Sequence, residues 1–305
     1  MLPDVCNALE LGSIAQVKKI ETGSHHLVWK ATTTRGTFAL RASAKIAGGG
    51  RSQRERLWET VGKWAVAPAY RDCYRVRLDR FDGWIEAFDW IEGRRLRPSA
   101  DHIDLAQTLA RLHLHPISSR FALVPRVDIV SFLKKRLAND LRAISGRSQI
   151  EKLLQNRTLQ SLSLLRTRSP SHSKPCLIHN DLVDGNVIHS TERLALIDWD
   201  WAMITQPEVD LFCFLSPFVR SWRSTPRYVR PQTAVEFLDE YIRRVRRGKG
   251  QKPRIESELW KPYNTLLANW LRQAPLAPPH ANSRSFYVKA FQEIDELAPI
   301  LASFK

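Results

Sequence analysis

The chain has 305 residues, of which 43% are hydrophobic and 26% are charged, close to the averages of folded globular proteins. This length suffices for one large domain or for two lobes with cores of their own, and the composition excludes a fibrous chain or a disordered tail. The net charge of +16 is compatible with nucleic acid, an anionic membrane surface or a polyphosphate ligand, and it does not choose among them.

The absence of membrane-spanning and signal-peptide patterns and the spacing of the cysteines indicate the cellular location of the protein. No apolar run approaches the ~20 residues of a membrane span, and the N-terminal stretch lacks the pattern of a signal peptide. We therefore expect a cytoplasmic protein without membrane insertion. The cysteines are scattered without a CxxC pair, which indicates small buried hydrophobes and neither a zinc cage nor a disulfide framework. They are Cys6, Cys73, Cys176 and Cys213.

The first hundred residues have the pattern of a small sheet. Three strand-like runs, "IAQVKKIET", "LVWKATTT" and "TFALRAS", indicate an antiparallel meander. The run "RERLWETVGKWAV" then has helical spacing, and "CYRVRLDRFDG" and "WIEAFDWIEG" predict two further strands. The order β-β-β-α-β-β predicts an N-terminal α+β lobe over residues 1–92.

Helical periodicity dominates the remainder, which predicts a larger C-terminal lobe over residues 93–305. Six stretches carry it: "DHIDLAQTLARLHLHP", "DIVSFLKKRLANDLRAIS", "QIEKLLQNRTLQSLSLLRTR", "TAVEFLDEYIRRVRR", "IESELWKPYNTLLANWLRQ" and "SRSFYVKAFQEIDELAPILASF". The basic run at 243–254 indicates a solvated helix end. Because no zinc-finger or RNA-binding pattern accompanies this run, no nucleic-acid partner is expected.

One polar segment, "CLIHNDLVDGNVIHSTERLALIDWD" at 176–200, interrupts the helices. Its runs "VIH" and "LALID" flank "STER" and predict a hairpin, which brings Asn186 close to Asp198. Carboxylate and carboxamide oxygens suit Mg²⁺, and Asp181, in the loop before Asn186, can take a proton from an attacking hydroxyl. The alternative is that these residues only form loops and end strands.

The spacing H-x-D-x-x-x-x-N in "HNDLVDGN", followed by "IDWD", resembles the catalytic segment of protein kinases. With "EVDLFCF" further on, the pattern resembles the aminoglycoside phosphotransferase, choline kinase and thiamine kinase group, small-molecule kinases that share the protein-kinase fold. The resemblance covers about residues 14–245. It implies a two-lobed α+β fold with a small antiparallel-sheet N-lobe, and a phosphotransferase that uses ATP and Mg²⁺.

The resemblance also implies roles for the residues of the polar segment. Asp181 is expected to be the catalytic base, supported by His179, and Asn186 and Asp198 are expected to bind Mg²⁺. Asp210, in "EVDLFCF", is expected to brace the catalytic loop and not to touch the substrate.

A kinase of this type also needs nucleotide contacts in its first lobe. Arg41 on the third strand is expected to hold phosphate oxygens, and Glu55 on the following helix is expected to position it. The alternatives are an exposed strand residue for Arg41 and a solvated helix charge for Glu55. Backbone amides around Gly23 and Ser24 are expected to cradle phosphate, although protein kinases use three glycines in that loop.

The acceptor is expected to be a hydroxyl of a small cationic metabolite such as thiamine or choline. A strongly basic surface repels polycations at long range, whereas aromatic faces can hold a single cation. Most tryptophans are expected to be core residues, and the candidates for such a face include Trp199, Trp201, Trp260 and Trp270. "IDWDWA" also resembles bacterial thiamine kinases. An aminoglycoside or other alcohol phosphotransferase is the alternative, and a catalytically weak pseudokinase or regulatory nucleotide-binding protein is the alternative from another class. The choice between ATP and GTP and the oligomeric state stay open.

Overall fold

The computed structural model describes residues 2–20, 27–43, 51–78, 81–117, 121, 124–166, 168, 174–220, 229–249, 255–274 and 278–304. Two compact units make up the chain. The first comprises Met1–Leu96, Ile117–Val124 and Gly185–Asp200, and the second comprises Arg97–Pro116, Pro125–Asp184 and Trp201–Lys305. Within the described residues, no helix has both the length and the apolar character needed to cross a bilayer.

The strands, in chain order, are β1 (Ile14–Ile20), β2 (Leu27–Thr33), β3 (Gly36–Ser43), β4 (Tyr70–Leu78), β5 (Phe81–Asp89), β6 (Arg94–Arg95), β7 (Cys176–Ile178), β8 (Val187–His189), β9 (Leu194–Leu196) and β10 (Met203–Thr205). The helices are α1 (Leu2–Ala8), α2 (Arg51–Lys63), α3 (Pro98–Leu114), α4 (Ile129–Ala143), α5 (Gln149–Arg166), α6 (Glu208–Leu215), α7 (Pro217–Arg220), α8 (Pro231–Lys249), α9 (Trp260–Gln273) and α10 (Arg284–Ala302).

The first unit is built on a five-stranded antiparallel sheet with the order β1-β2-β3-β5-β4. Alternating side chains of β3 and β5, among them Leu40 and Ile85, are buried in its core, as period-two patterning requires. The predicted order β-β-β-α-β-β is confirmed. Helix α1, which the sequence patterns did not predict, covers the same core with Val5 and Cys6.

The predicted hairpin is also confirmed, with β8 and β9 paired from Val187↔Leu196 to His189↔Leu194. Strand β6 pairs with the outer edge of β8, and the contacts of this three-stranded sheet group the hairpin with the first unit. The sequence pattern had assigned the hairpin to the helical lobe. The division of the chain between residues 92 and 93 therefore stays a prediction, since the first unit is not one continuous segment.

The second unit is helical, apart from the short antiparallel pair β7 and β10. Large aromatic side chains fill its core, as where Phe212 of α6 meets Trp260 of α9 edge-on at 5.4 Å. The basic run predicted to be a solvated helix end forms the last turns of α8 as far as Lys249. There Arg243 and Arg244 both pair with Glu240. The mixed fold of a small antiparallel sheet and many helices agrees with the predicted class.

Candidate active site

In the first unit, three carboxylates converge on the guanidinium of Arg41, which is buried at the end of β3. Its Nη1 donates to Glu86 Oε2 at 3.2 Å and to Asp200 Oδ1 at 3.2 Å. Its Nη2 donates to Asp198 Oδ1 at 2.9 Å and also to Asp200 Oδ2. We call Arg41 together with Glu86, Asp198 and Asp200 the Arg41 cluster.

The strand register explains half of this cluster. Arg41 of β3 stands directly opposite Glu86 of β5, and residues opposite each other in an antiparallel pair have their side chains on the same face. Ser43, two residues along β3, donates from Oγ to the same Glu86 carboxylate at 3.3 Å. Glu86 is therefore held by two neighbours on one face of the sheet.

The hairpin supplies the other half of the cluster. Asp198 follows β9, and its φ of 64° lies in the left-handed region, which Asp and Asn adopt more readily than other non-glycine residues. The strain of about 1–3 kcal/mol that such a residue carries is typical of functional sites. Ile197 N–H donates to the Asn186 carbonyl at 2.8 Å. The hairpin therefore fixes the backbone of both predicted Mg²⁺ ligands, Asn186 and Asp198, at one end.

The charge of the Arg41 cluster favours a cation. One guanidinium faces three carboxylates, so a net charge of −2 remains when all four groups are ionised. Burial lowers the pKa of Arg41, but Asp198, Asp200 and Glu86 outweigh burial and raise it above its ordinary value. The Asp198 side chain is 34% exposed, so part of its carboxylate is open to a ligand. Hard oxygen donors with excess negative charge fit Mg²⁺.

The second unit holds the loop that carries the predicted base. We call residues 179–182 the Asp181 loop. Asp210 of α6 accepts the backbone N–H of His179 at 2.9 Å through Oδ2 and that of Asn180 at 2.7 Å through Oδ1. Such charge-assisted bonds each contribute about 1.5–3 kcal/mol, enough to hold Asn180 at its left-handed φ of 63°. The expectation that Asp210 braces this loop is confirmed.

The loop is held from other directions as well. His179 is fully buried, and its Nδ1 accepts the N–H of Asp181 at 3.2 Å. Cys213 Sγ accepts the N–H of Leu182 at 3.3 Å. Burial raises the pKa of the Cys213 thiol well above its ordinary value, and the negative charges of Asp181 and Asp210 raise it further. Cys213 is therefore a neutral packing group beneath the loop.

A buried histidine and tyrosine extend the support of Asp210. His113 of α3 places Nε2 at 3.2 Å from Asp210 Oδ2. Its other ring nitrogen, Nδ1, lies 2.9 Å from the hydroxyl of Tyr241 on α8. The sequence patterns gave no reason to single out either residue, since each lies inside a helix at an apolar-spaced position.

Of the residues predicted to bind the nucleotide, the structure describes Arg41 and Glu55. Among the described residues, the acids paired with Arg41 are Glu86, Asp198 and Asp200. The Glu55 carboxylate instead accepts from Cys73 Sγ at 3.4 Å. Its role in nucleotide binding stays a prediction, and Gly23 and Ser24 lie outside the described residues.

Sequence reasoning missed two members of the Arg41 cluster. Asp200 follows Asp198 by two residues in "IDWD", so the repeated acid was an available signal. Glu86 had no such signal, because its partnership with Arg41 depends on β5 lying next to β3.

The tryptophans near the hairpin separate into core and surface residues. Trp199 is buried, and its Nε1 donates to the Leu196 carbonyl at 2.9 Å. Trp201, two residues later and in the second unit, is 66% exposed. Its carbonyl accepts from Asn180 Nδ2 at 3.2 Å, so its backbone is tied to the Asp181 loop while its indole remains free for contact.

Comparison with solved structures gives matches that span nearly the whole chain. An aminoglycoside phosphotransferase from Alicyclobacillus acidocaldarius has a TM-score of 0.66 at 16% identity, covering 98% of this chain and 95% of its own. A spectinomycin phosphotransferase, solved with ADP and spectinomycin, has a TM-score of 0.63 at 13% identity, covering 98% of each chain. A choline kinase from Cryptosporidium parvum has a TM-score of 0.61 at 13% identity, covering 92% and 89%.

At these identities the likeness shows the fold, and the predicted kinase-like fold is confirmed. No curated protein sequence matches the chain. The model of the phosphotransferase enzyme family matches residues 16–252, which include the Arg41 cluster, the Asp181 loop and Asp210. The predicted enzyme class is thereby confirmed, and the chain belongs to the phosphotransferase enzyme family.

Proposed function

We propose that the protein transfers the γ-phosphoryl group of ATP to a hydroxyl of a small cationic metabolite of the thiamine or choline type, in the presence of Mg²⁺. The Arg41 cluster is the observation that carries this proposal. Three carboxylates around one guanidinium retain a net charge of −2, and such a site attracts a divalent cation together with the polyphosphate that the cation accompanies.

Each residue then has a role that its surroundings support. Asp181 accepts the proton of the acceptor hydroxyl, while the hydroxyl oxygen bonds to the γ-phosphorus and the bond between that phosphorus and ADP breaks. The Asp210 carboxylate holds the backbone on the N-terminal side of Asp181. Asn186 and Asp198 would hold Mg²⁺, which would supply positive charge to the phosphates. Arg41 orients the acids of its cluster and would supply a positive charge near the phosphates.

The acceptor class rests on charge and on Trp201. An exposed indole tied through its backbone to the Asp181 loop offers a face for a single quaternary or ring cation. The net charge of +16 disfavours long-range attraction of polycations. The solved relatives include both a choline kinase and aminoglycoside phosphotransferases, so an aminoglycoside is the second acceptor class to test.

The test is Mg²⁺-dependent release of ADP from ATP with a panel of acceptors: thiamine, choline, ethanolamine and kanamycin. We expect stimulation by thiamine or choline. Trp201→Ala should then raise the KM of that acceptor roughly tenfold, the equivalent of one cation–π contact, with the KM of ATP unchanged. Trp270→Ala is the matched control, since Trp270 lies on α9 and is also exposed.

The other outcomes separate the alternatives. Stimulation by kanamycin alone would replace the thiamine or choline class by aminoglycosides. ATP binding without transfer to any acceptor would favour a pseudokinase or regulatory nucleotide-binding protein. A chain that binds neither ATP nor Mg²⁺ would contradict the role given to the Arg41 cluster.

A further inference from the structure

A line of buried side chains connects α8 to the Asp181 loop. It runs from the Tyr241 hydroxyl to His113 Nδ1 at 2.9 Å, and from His113 Nε2 to Asp210 Oδ2 at 3.2 Å. The same Asp210 oxygen accepts the N–H of His179 at 2.9 Å. All three side chains lie within the second unit and are almost completely buried, so bulk water does not compete for these hydrogen bonds.

From this geometry we infer that Tyr241 is a positioning residue for the Asp181 loop, which it orients through His113 and Asp210. The inference rests on the proposed function, in which that loop presents the catalytic base. It adds a residue on α8 whose hydroxyl bonds to His113.

The chemistry of the three groups determines which of them donates each hydrogen bond. A carboxylate only accepts hydrogen bonds, so His113 must donate to Asp210 from Nε2. In a neutral imidazole Nδ1 is then an acceptor, and it accepts a hydrogen bond from the Tyr241 hydroxyl. Burial raises the pKa of Tyr241 well above its ordinary value, so the phenol keeps the proton that it donates. Along this line Tyr241 therefore donates to His113, and His113 donates to Asp210.

The consequence of losing the Tyr241 hydroxyl follows from this chain. The imidazole of His113 would keep a buried acceptor without a donor, a state that proteins avoid. Rotation or a change of tautomer would relieve it and would withdraw Nε2–H from Asp210. The carboxylate would then be free to turn away from the amides of His179 and Asn180, and the position of Asp181 would become less defined.

A residue that only fills the core would act differently. The ring of Tyr241 packs edge-on to His113, with centroids 5.7 Å apart, and this packing survives in Tyr241→Phe. Tyr287 on α10 offers a matched control. It is a buried tyrosine of the same unit, and its hydroxyl has no hydrogen-bond partner among the described residues. Both substitutions remove one buried oxygen, but only one interrupts the line to Asp210.

The experiment compares Tyr241→Phe with Tyr287→Phe in the full-length protein. The readouts are kcat, the KM of ATP, the affinity for ATP and hydrogen exchange at the amides of residues 179 and 180. For Tyr241→Phe we expect kcat to fall roughly 10- to 100-fold, the range for a displaced catalytic group, with the KM and affinity for ATP within about twofold. Exchange at the two amides should accelerate about tenfold through local opening. Tyr287→Phe should leave all four unchanged.

His113→Gln and His113→Ala provide a second pair of variants. Glutamine keeps an N–H that can reach Asp210, so His113→Gln should retain more activity and slower exchange than His113→Ala. Equal kcat and equal exchange in Tyr241→Phe and Tyr287→Phe would overturn the inference. If the wild-type protein phosphorylates no acceptor, the proposed function fails, while the exchange rates of the two phenylalanine variants still decide whether Tyr241 positions the loop.

Discussion

Arg41→Met should expose how strongly the Arg41 cluster depends on its single cation. Methionine approximates the length and apolar stem of arginine but removes the four hydrogen bonds to Glu86, Asp198 and Asp200. The carboxylates of Glu86 and Asp200 are only 6% and 15% exposed. Three like charges would then share one small region without the guanidinium that they now surround.

The expected cost follows from burial. Removing one partner of a buried ion pair destabilises a protein by about 3–5 kcal/mol, because the other charge is left unpaired. The partly exposed Asp198 recovers some hydration, so we expect about 3–4 kcal/mol. At ~2–4 °C per kcal/mol for a chain of this size class, the Tm should fall by about 6–16 °C.

Arg71→Met is the matched control for this prediction. Arg71 forms a two-point ion pair with Asp89 in the same unit, with atoms 2.5 and 2.7 Å apart, but its side chain is 52% exposed. Exposed pairs contribute only ~0–1 kcal/mol, so the Tm should fall by no more than about 4 °C.

The assay is thermal unfolding with and without millimolar Mg²⁺. A cation that binds only the native state raises the Tm, and the acids of Arg41→Met, which have lost the guanidinium, should bind it more tightly than the wild-type cluster does. Mg²⁺ should therefore recover part of the loss in Arg41→Met and change Arg71→Met no more than wild type. Equal small Tm losses in both variants would refute the energetic reasoning, and a missing Mg²⁺ response would refute the divalent-cation site.

Three further predictions concern the base, a shifted carboxyl and the thiols. Asp181→Asn should lower kcat by roughly 10²–10⁴-fold with ATP affinity retained, and wild-type turnover in an acceptor assay would remove Asp181 from the mechanism. Burial raises the pKa of Glu293 to about 7. The stability contributed by this carboxyl is therefore complete below the unfolded pKa and is lost as pH rises towards 7. Glu293→Gln should raise the Tm at pH 8 and not near pH 4, and a pH-independent change in Tm would contradict this reasoning. All four cysteines are buried, and burial raises the pKa of the Cys6 and Cys213 thiols. A thiol reagent at neutral pH should therefore label the cysteines only after denaturation. Rapid labelling of the native protein would contradict their burial.

Structural features that depend on residues close together in the sequence could be predicted from it. The alternation of "TFALRAS" and "WIEAFDWIEG" gave strands β3 and β5, and the short turn between "VIH" and "LALID" gave the hairpin. The spacing of His179, Asp181 and Asn186 gave the kinase-like pattern. Helix α1 escaped prediction because it is short, and its stability comes from burying Val5 and Cys6 against the sheet.

The sequence by itself therefore determined the order of the elements, the polar hairpin and the candidate base, since each depends on periodicity or on spacings of a few residues. Only the tertiary structure decided which acid faces Arg41, because β5 and not β4 lies next to β3 and brings Glu86 across from a position 45 residues away. The same holds for Tyr241 and His113, which are 128 residues apart. Such pairs form when separate elements pack, and packing depends on the shapes and registers of whole elements, which local patterns do not specify.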